Sequence, residues 1–173
     1  MTGKSFWLGL TIATGALPAG CQPDAAGREA RDTTSSPDRS ERIPLVILAD
    51  RLAVCRLDRG VHLPSWATAS PGEFFSATRT ADELSIILPQ SRPPREIKCE
   101  RDWRLLKVQG PLPLNLVGII AGLSGTLANA GVSIFAFSTY DTDYVMVKQV
   151  DLDRAVRALR QAGYPVSEPS RDR

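Results

Sequence analysis

Trp103-Arg104-Leu105-Leu106-Lys107-Val108 runs into Gln109-Gly110-Pro111-Leu112-Pro113, and this stretch decides how the second half of the chain is read. The first six residues suit a strand, which must stop before Pro113 because its ring cannot donate to a sheet ladder. A helix is expected next. Asn115 is placed to act as its N-cap, Leu116, Ile119, Ile120, Leu123 and Leu127 recur at helical spacing, and Gly131 supplies the stop. Residues 132–138 and 144–147 then read as strands around the turn Thr139-Tyr140-Asp141-Thr142-Asp143. Asp151 is expected to cap a final amphipathic helix carrying Leu152, Ala155, Val156 and Leu159, which Gly163 closes before a short strand at Tyr164-Pro165-Val166. The order β-α-β-β-α-β predicts an α+β, ferredoxin-like module with two helices on one face of a four-stranded antiparallel sheet.

Upstream, residues 45–48 and 52–57 suit two adjacent strands or one strand with a bulge, and residues 74–78 and 84–88 suit a hairpin. Residues 90–96, centred on Pro93-Pro94, read as a stiff linker and as the boundary between two domains, 43–95 and 96–168. The segment from Phe75 to Ile86 can be laid over Ala136 to Met146 with a one-residue gap, both being strand, threonine-rich acidic turn, strand. Chance likeness between hairpins is one explanation; a degenerate second copy of the module at 43–95 is the other.

Residues 1–42 differ in kind. Lys4 and an apolar run from Phe6 to Ala13 lead to Ala19-Gly20-Cys21, which reads as a secretory leader with an imperfect lipoprotein-type box, or as upstream sequence with no targeting role. A polar tether to residue 42 follows, and residues 169–173 form a tail.

The 173 residues carry 21 Lys and Arg against 19 Asp and Glu, a net charge of +2, with no block of like charge. Nucleic-acid binding therefore lacks electrostatic support. Cys21, Cys55 and Cys99 form no CxxC pair, and reduced, buried thiols are the expectation. The single histidine, His62, lies in a Pro-rich stretch and gives a poor basis for catalysis, so no enzymatic activity is expected.

The segment from Asp102 to Leu112, Gly118-Ile119-Ile120-Ala121, the segment from Leu127 to Phe135 and above all Ser138-Thr139-Tyr140-Asp141-Thr142-Asp143-Tyr144 resemble the small tandem-ACT proteins related to the CASTOR arginine sensors. In the first half, Ala53 to Leu57, Pro64-Ser65-Trp66 and Thr78 to Ser85 fit the same family, so residues 43 to about 168 are covered. The resemblance implies two ACT modules, a cleft at a module or subunit interface, and an amino acid as ligand. No catalytic domain is fused, so regulation would act in trans on a partner.

An amino acid requires a donor nest for its carboxylate and an acceptor for its ammonium. Asn115, Val117, Gly118 and Ile119, at the expected start of the helix, supply the first through main-chain amides and the helix dipole. Asp141 and Asp143 supply the second, with Ser138 and Thr139 adding hydroxyls. Packing against the sheet is the competing reading for Gly118, Gly122 and Gly125, and Asx turns are the competing reading for the aspartates. A metal at Asp141 and Asp143 lacks a third ligand, and no metal or cofactor is expected. The expectation is a free-standing regulatory protein that binds an amino acid, as a homodimer or with a partner protein, in the cytoplasm. The alternative is that it is secreted, or anchored through Cys21, with membrane attachment only if Cys21 is lipidated. The alternative function is ligand-independent assembly.

Overall fold

A computed structural model describes residues 43–168, so the expectations for the leader at 1–42 and the tail at 169–173 lie outside the described residues. Seven strands form one sheet: β1 (Leu45–Leu57), β2 (Ser76–Arg79), β3 (Leu84–Pro89), β4 (Cys99–Val108), β5 (Ile134–Ser138), β6 (Asp143–Lys148) and β7 (Val166–Ser167). Two helices, α1 (Ile119–Asn129) and α2 (Leu152–Gln161), complete the α+β, ferredoxin-like fold.

Along the sheet the order is β2-β3-β1-β4-β6-β5, with β7 added beside β1. This corrects the expected four-stranded module. The last strand does not close against β4. Instead β7 runs parallel to β1, Leu45 opposite Val166, and β1 is interposed with its other side antiparallel to β4. Period-2 patterning identifies a strand but not its neighbour.

Residues 45–57 form one strand with irregularities, the register against β4 shifting between Ile47 and Arg51 and again between Leu52 and Val54. Opposite that irregularity Asp102 holds a left-handed backbone, φ 60°. The Pro-rich segment at 90–96 does not interrupt the sheet, since β1 pairs with strands on both sides of it. Arg101 fixes it, donating to the carbonyls of Gln90, Pro93 and Pro94.

The sheet order has a pseudo-twofold pattern. Hairpin β2-β3 flanks β1 as hairpin β5-β6 flanks β4, with the same antiparallel pairings. Helices accompany only the second half among the described residues, and residues 58–75 are turns and loops.

One core joins Leu45, Ile47, Leu106, Val108, Val145 and Val147 of the sheet to Leu123 and Leu127 of α1 and Leu152, Ala155 and Leu159 of α2. Alternation puts Leu52, Trp103, Leu105, Tyr144 and Met146 on the opposite face, where Phe74 packs with ring centroids 5.5 Å from Phe137 and 5.3 Å from Tyr144. A third cluster gathers Ala53, Cys55, Leu84, Ile86 and Leu88 around Ala67, with Trp66 packed against it. Each fully buried large aliphatic contributes about 1.5–3 kcal/mol of transfer free energy.

The expectation of reduced thiols is overturned for two cysteines. Cys55 and Cys99 face each other across β1 and β4 and are joined by a disulfide. The spacing of 44 residues carries no signal of this, because only the sheet register brings the two together.

Candidate functional site

β4 ends at Val108, and the chain passes through the cis Gly110-Pro111 peptide toward α1, crossing the turn that joins β5 to β6. Gly110 is required there: a Cβ on it would lie 2.7 Å from the Asp141 carbonyl oxygen. The Leu112 amide donates to that oxygen at 2.7 Å, and the buried Thr142 hydroxyl donates to the Val108 carbonyl at 2.5 Å. These two bonds fix the turn against the start of the loop.

Between loop and turn lies a cavity of about 200 Å³, lined on one side by Leu112, Pro113, Leu114, Leu116 and Ile119 and on the other by residues 138–143. Of the expected site residues, Ile119, Ser138, Thr139, Asp141 and Asp143 line it together. Asn115, Val117 and Gly118 are not among its lining residues.

Asn115 is not the helix cap. It occupies a turn closed by the Leu116 amide donating to Pro113 O, and α1 begins four residues later, with Gly118 at the N-cap position and no side-chain cap. Gly118 is left-handed at φ 89°, and a Cβ there would meet nothing within 4 Å, so backbone conformation rather than close packing demands glycine. Gly125 also faces open space, so close helix-on-sheet packing does not account for it. Asp151 sits before α2 without capping it, and its carboxylate accepts from Arg154 at 2.5 Å.

The first turn of α1 contains no acidic residue, so its dipole presents an uncompensated positive end beside the cavity. The two aspartates differ. Asp143 accepts the Ser138 hydroxyl at 2.5 Å, whereas the Asp141 side chain has no partner among the described residues. The Thr139 hydroxyl bonds across the turn to Thr142 O at 3.1 Å. Among the described residues no three His, Cys, Asp or Glu side chains converge in a metal-holding group.

Sequence reasoning missed the apolar wall of Leu112, Leu114 and Leu116. Leu116 falls on the helical repeat by position but precedes the helix, which starts at Ile119. The rim is open: Leu114 is 73%, Val117 90% and Tyr140 79% exposed.

Fold and cavity together define a ferredoxin-like α+β protein with a small pocket where a strand-to-helix loop meets a hairpin turn. Part of the chain is similar to ACT domains. The ACT domain model matches residues 98–161, and a second model, describing an N-terminal domain, matches residues 50–96. A crystallised Agrobacterium tumefaciens protein is 33% identical, with a TM-score of 0.70, covering 76% of this chain and 97% of that one. The cytosolic arginine sensor for mTORC1 subunit 1 of Bos taurus is 28% identical over 98 residues, half of this chain and 30% of the sensor. The match thus spans less than a third of that curated relative. The aspartate kinase of Clostridium acetobutylicum, an allosteric enzyme, shares the fold at 14% identity and a TM-score of 0.52, covering 71% of this chain and 35% of the kinase.

Proposed function

We propose that this protein binds a free amino acid in the cavity between the 112–119 loop and the 138–143 turn, and that occupancy changes its association with a partner. The observation carrying this reading is the Asp141 carboxylate, unpaired and lining the same cavity as Ile119 at the uncapped start of α1. An ammonium would be received by Asp141, with the carboxylate of the same ligand directed to the helix amides. The exposed apolar rim of Leu114, Leu116, Val117 and Tyr140 is the surface a second copy or a partner protein would cover. Small ACT proteins of the CASTOR type offer an analogy, and the pseudo-twofold strand order supports descent of the two halves from one module.

The test is a thermal-shift survey of the full chain with the twenty amino acids. A cognate ligand at 100 times its Kd stabilises by about 2.7 kcal/mol. Asp141→Asn should abolish that shift. Absence of any shift defeats the proposal and leaves ligand-independent assembly through the same rim as the function.

No helix among the described residues is long and apolar enough to cross a membrane. The Cys55–Cys99 disulfide supports the secreted or Cys21-anchored alternative over the cytoplasmic expectation, since cytosolic thiols are kept reduced. Mass analysis of the mature chain, reading its N-terminus and its alkylated thiols, separates the two.

A further inference from the structure

The centre of the sheet breaks a pairing rule. Arg51 of β1 and Arg104 of β4 are register partners, and like charges directly opposite each other on neighbouring strands destabilise a sheet. Only Arg51 is compensated. Asp102 offers it a carboxylate at 3.4 Å, and does so from the left-handed backbone that a non-glycine residue adopts at a cost.

Arg104 has no carboxylate partner among the described residues. Its guanidinium donates to two neutral acceptors, Leu48 O at 3.1 Å and the Gln149 side-chain oxygen at 3.0 Å, while its Nε is buried with no acceptor. A half-buried cation satisfied only by neutral groups is costly.

In front of Gln149, where β6 gives way to α2, lies a notch of about 450 Å³ lined by Arg51, Arg101, Asp102, Lys148, Gln149 and Val150. Arg101 is likewise held by carbonyls alone. Lys148 contacts the Glu100 carboxylate at 3.2 Å and Arg101 O at 2.8 Å, with its nitrogen 4.4 Å from the Trp103 ring centroid. Four cations therefore surround or back the notch, against two carboxylates, Asp102 and Glu100, that are 59% and 78% exposed and free to turn outward.

We propose that this notch is a second binding site, separate from the amino-acid cavity, for a small oxyanion such as a phosphate or carboxylate group. Arg51, Arg101 and Lys148 would contact the anion, and Arg104, held through Gln149, would add field from behind. Planar guanidinium groups suit oxyanions because their N–H donors can engage two oxygens at once. The bound charge would offset the opposed arginines, giving the strained Asp102 and the uncompensated Arg104 a common purpose.

The test is calorimetric titration of the full chain with inorganic phosphate, against sodium chloride at equal ionic strength, with acetate as a separate arm. Saturable 1:1 phosphate binding is expected, weakened about tenfold in Arg51→Ala and in Lys148→Ala, where one charge-assisted contact is lost. Asp141→Asn should leave it unchanged. Acetate binding with equal affinity would assign the site to carboxylates rather than phosphates. No heat beyond the chloride control, affinity unchanged in both cation variants, or loss in Asp141→Asn would overturn the proposal.

Discussion

The turn joining β2 to β3 and the turn joining β5 to β6 hold corresponding places at opposite sides of the sheet, and their backbones agree closely. In the first, the Thr80 amide donates to Glu83 O at 2.9 Å; in the second, the Thr139 amide donates to Thr142 O at 2.8 Å. Their surroundings differ. The first turn is stapled by arginines: Arg59 donates to Ala81 O, Arg56 to the Glu83 carboxylate and Asp82 O, and Arg79 to the carbonyls of Arg59 and Val61. The second is held by one amide and one buried hydroxyl, and a cavity opens beside it. One hairpin geometry thus forms a sealed corner or borders an open cavity according to which side chains reach it.

The first half has no helix among the described residues and should depend most on its covalent tie. Replacing Cys55 and Cys99 together by Ala should cost about 2–4 kcal/mol. Hydrogen exchange should then rise in β2 and β3 more than in β5 and β6, and an equal rise in both hairpins would break the comparison. Thr142→Val, which removes the buried donor to Val108 O, should cost about 1–3 kcal/mol in denaturant unfolding. Glu83→Gln at the corresponding place, losing only a surface ion pair with Arg56, should cost at most about 1 kcal/mol. Arg59→Ala should stay within about 0.5 kcal/mol and leave amino-acid binding intact; lost binding would show that the two turns communicate.

The smallest effect concerns pH. The Ser70 amide, and then Arg92, hold the Glu73 carboxyl below its ordinary 4.5. A depressed carboxyl stabilises the fold above the unfolded value and loses that contribution as pH falls through the folded one. Melting curves below about pH 4.5 should therefore fall less steeply for Glu73→Gln than for the native chain.

The periodic segments made the second half legible: β4, α1, the β5-β6 hairpin and α2 all follow from apolar spacing and glycine stops. The start of α1 misled because Leu116 falls on the helical repeat by position while Gly118, left-handed, delays the helix to Ile119. The cavity was half legible. Ionisable and hydroxyl groups in a turn advertise themselves, but an apolar wall of leucines looks like any other core, and only the register of loop against turn shows what it faces. Neither the Cys55–Cys99 pair nor the opposed Arg51 and Arg104 could be read, since each depends on strand alignment over some fifty residues of intervening chain.

The interposed β1 bears on synthesis. The Leu45 amide donates to Pro165 O at 2.8 Å, and the Ser167 hydroxyl reaches Leu45 O across 122 residues of sequence. Among the described strands, β1 leaves the ribosome first, and its edge at Leu45 and Val46 must therefore wait unpaired until β7 arrives. Such an edge can recruit another chain in the interval. A cut at the Pro-rich segment would leave β7 without its neighbour, so completing this sheet takes the span from β1 to β7 and not only the stretch matched by the ACT model.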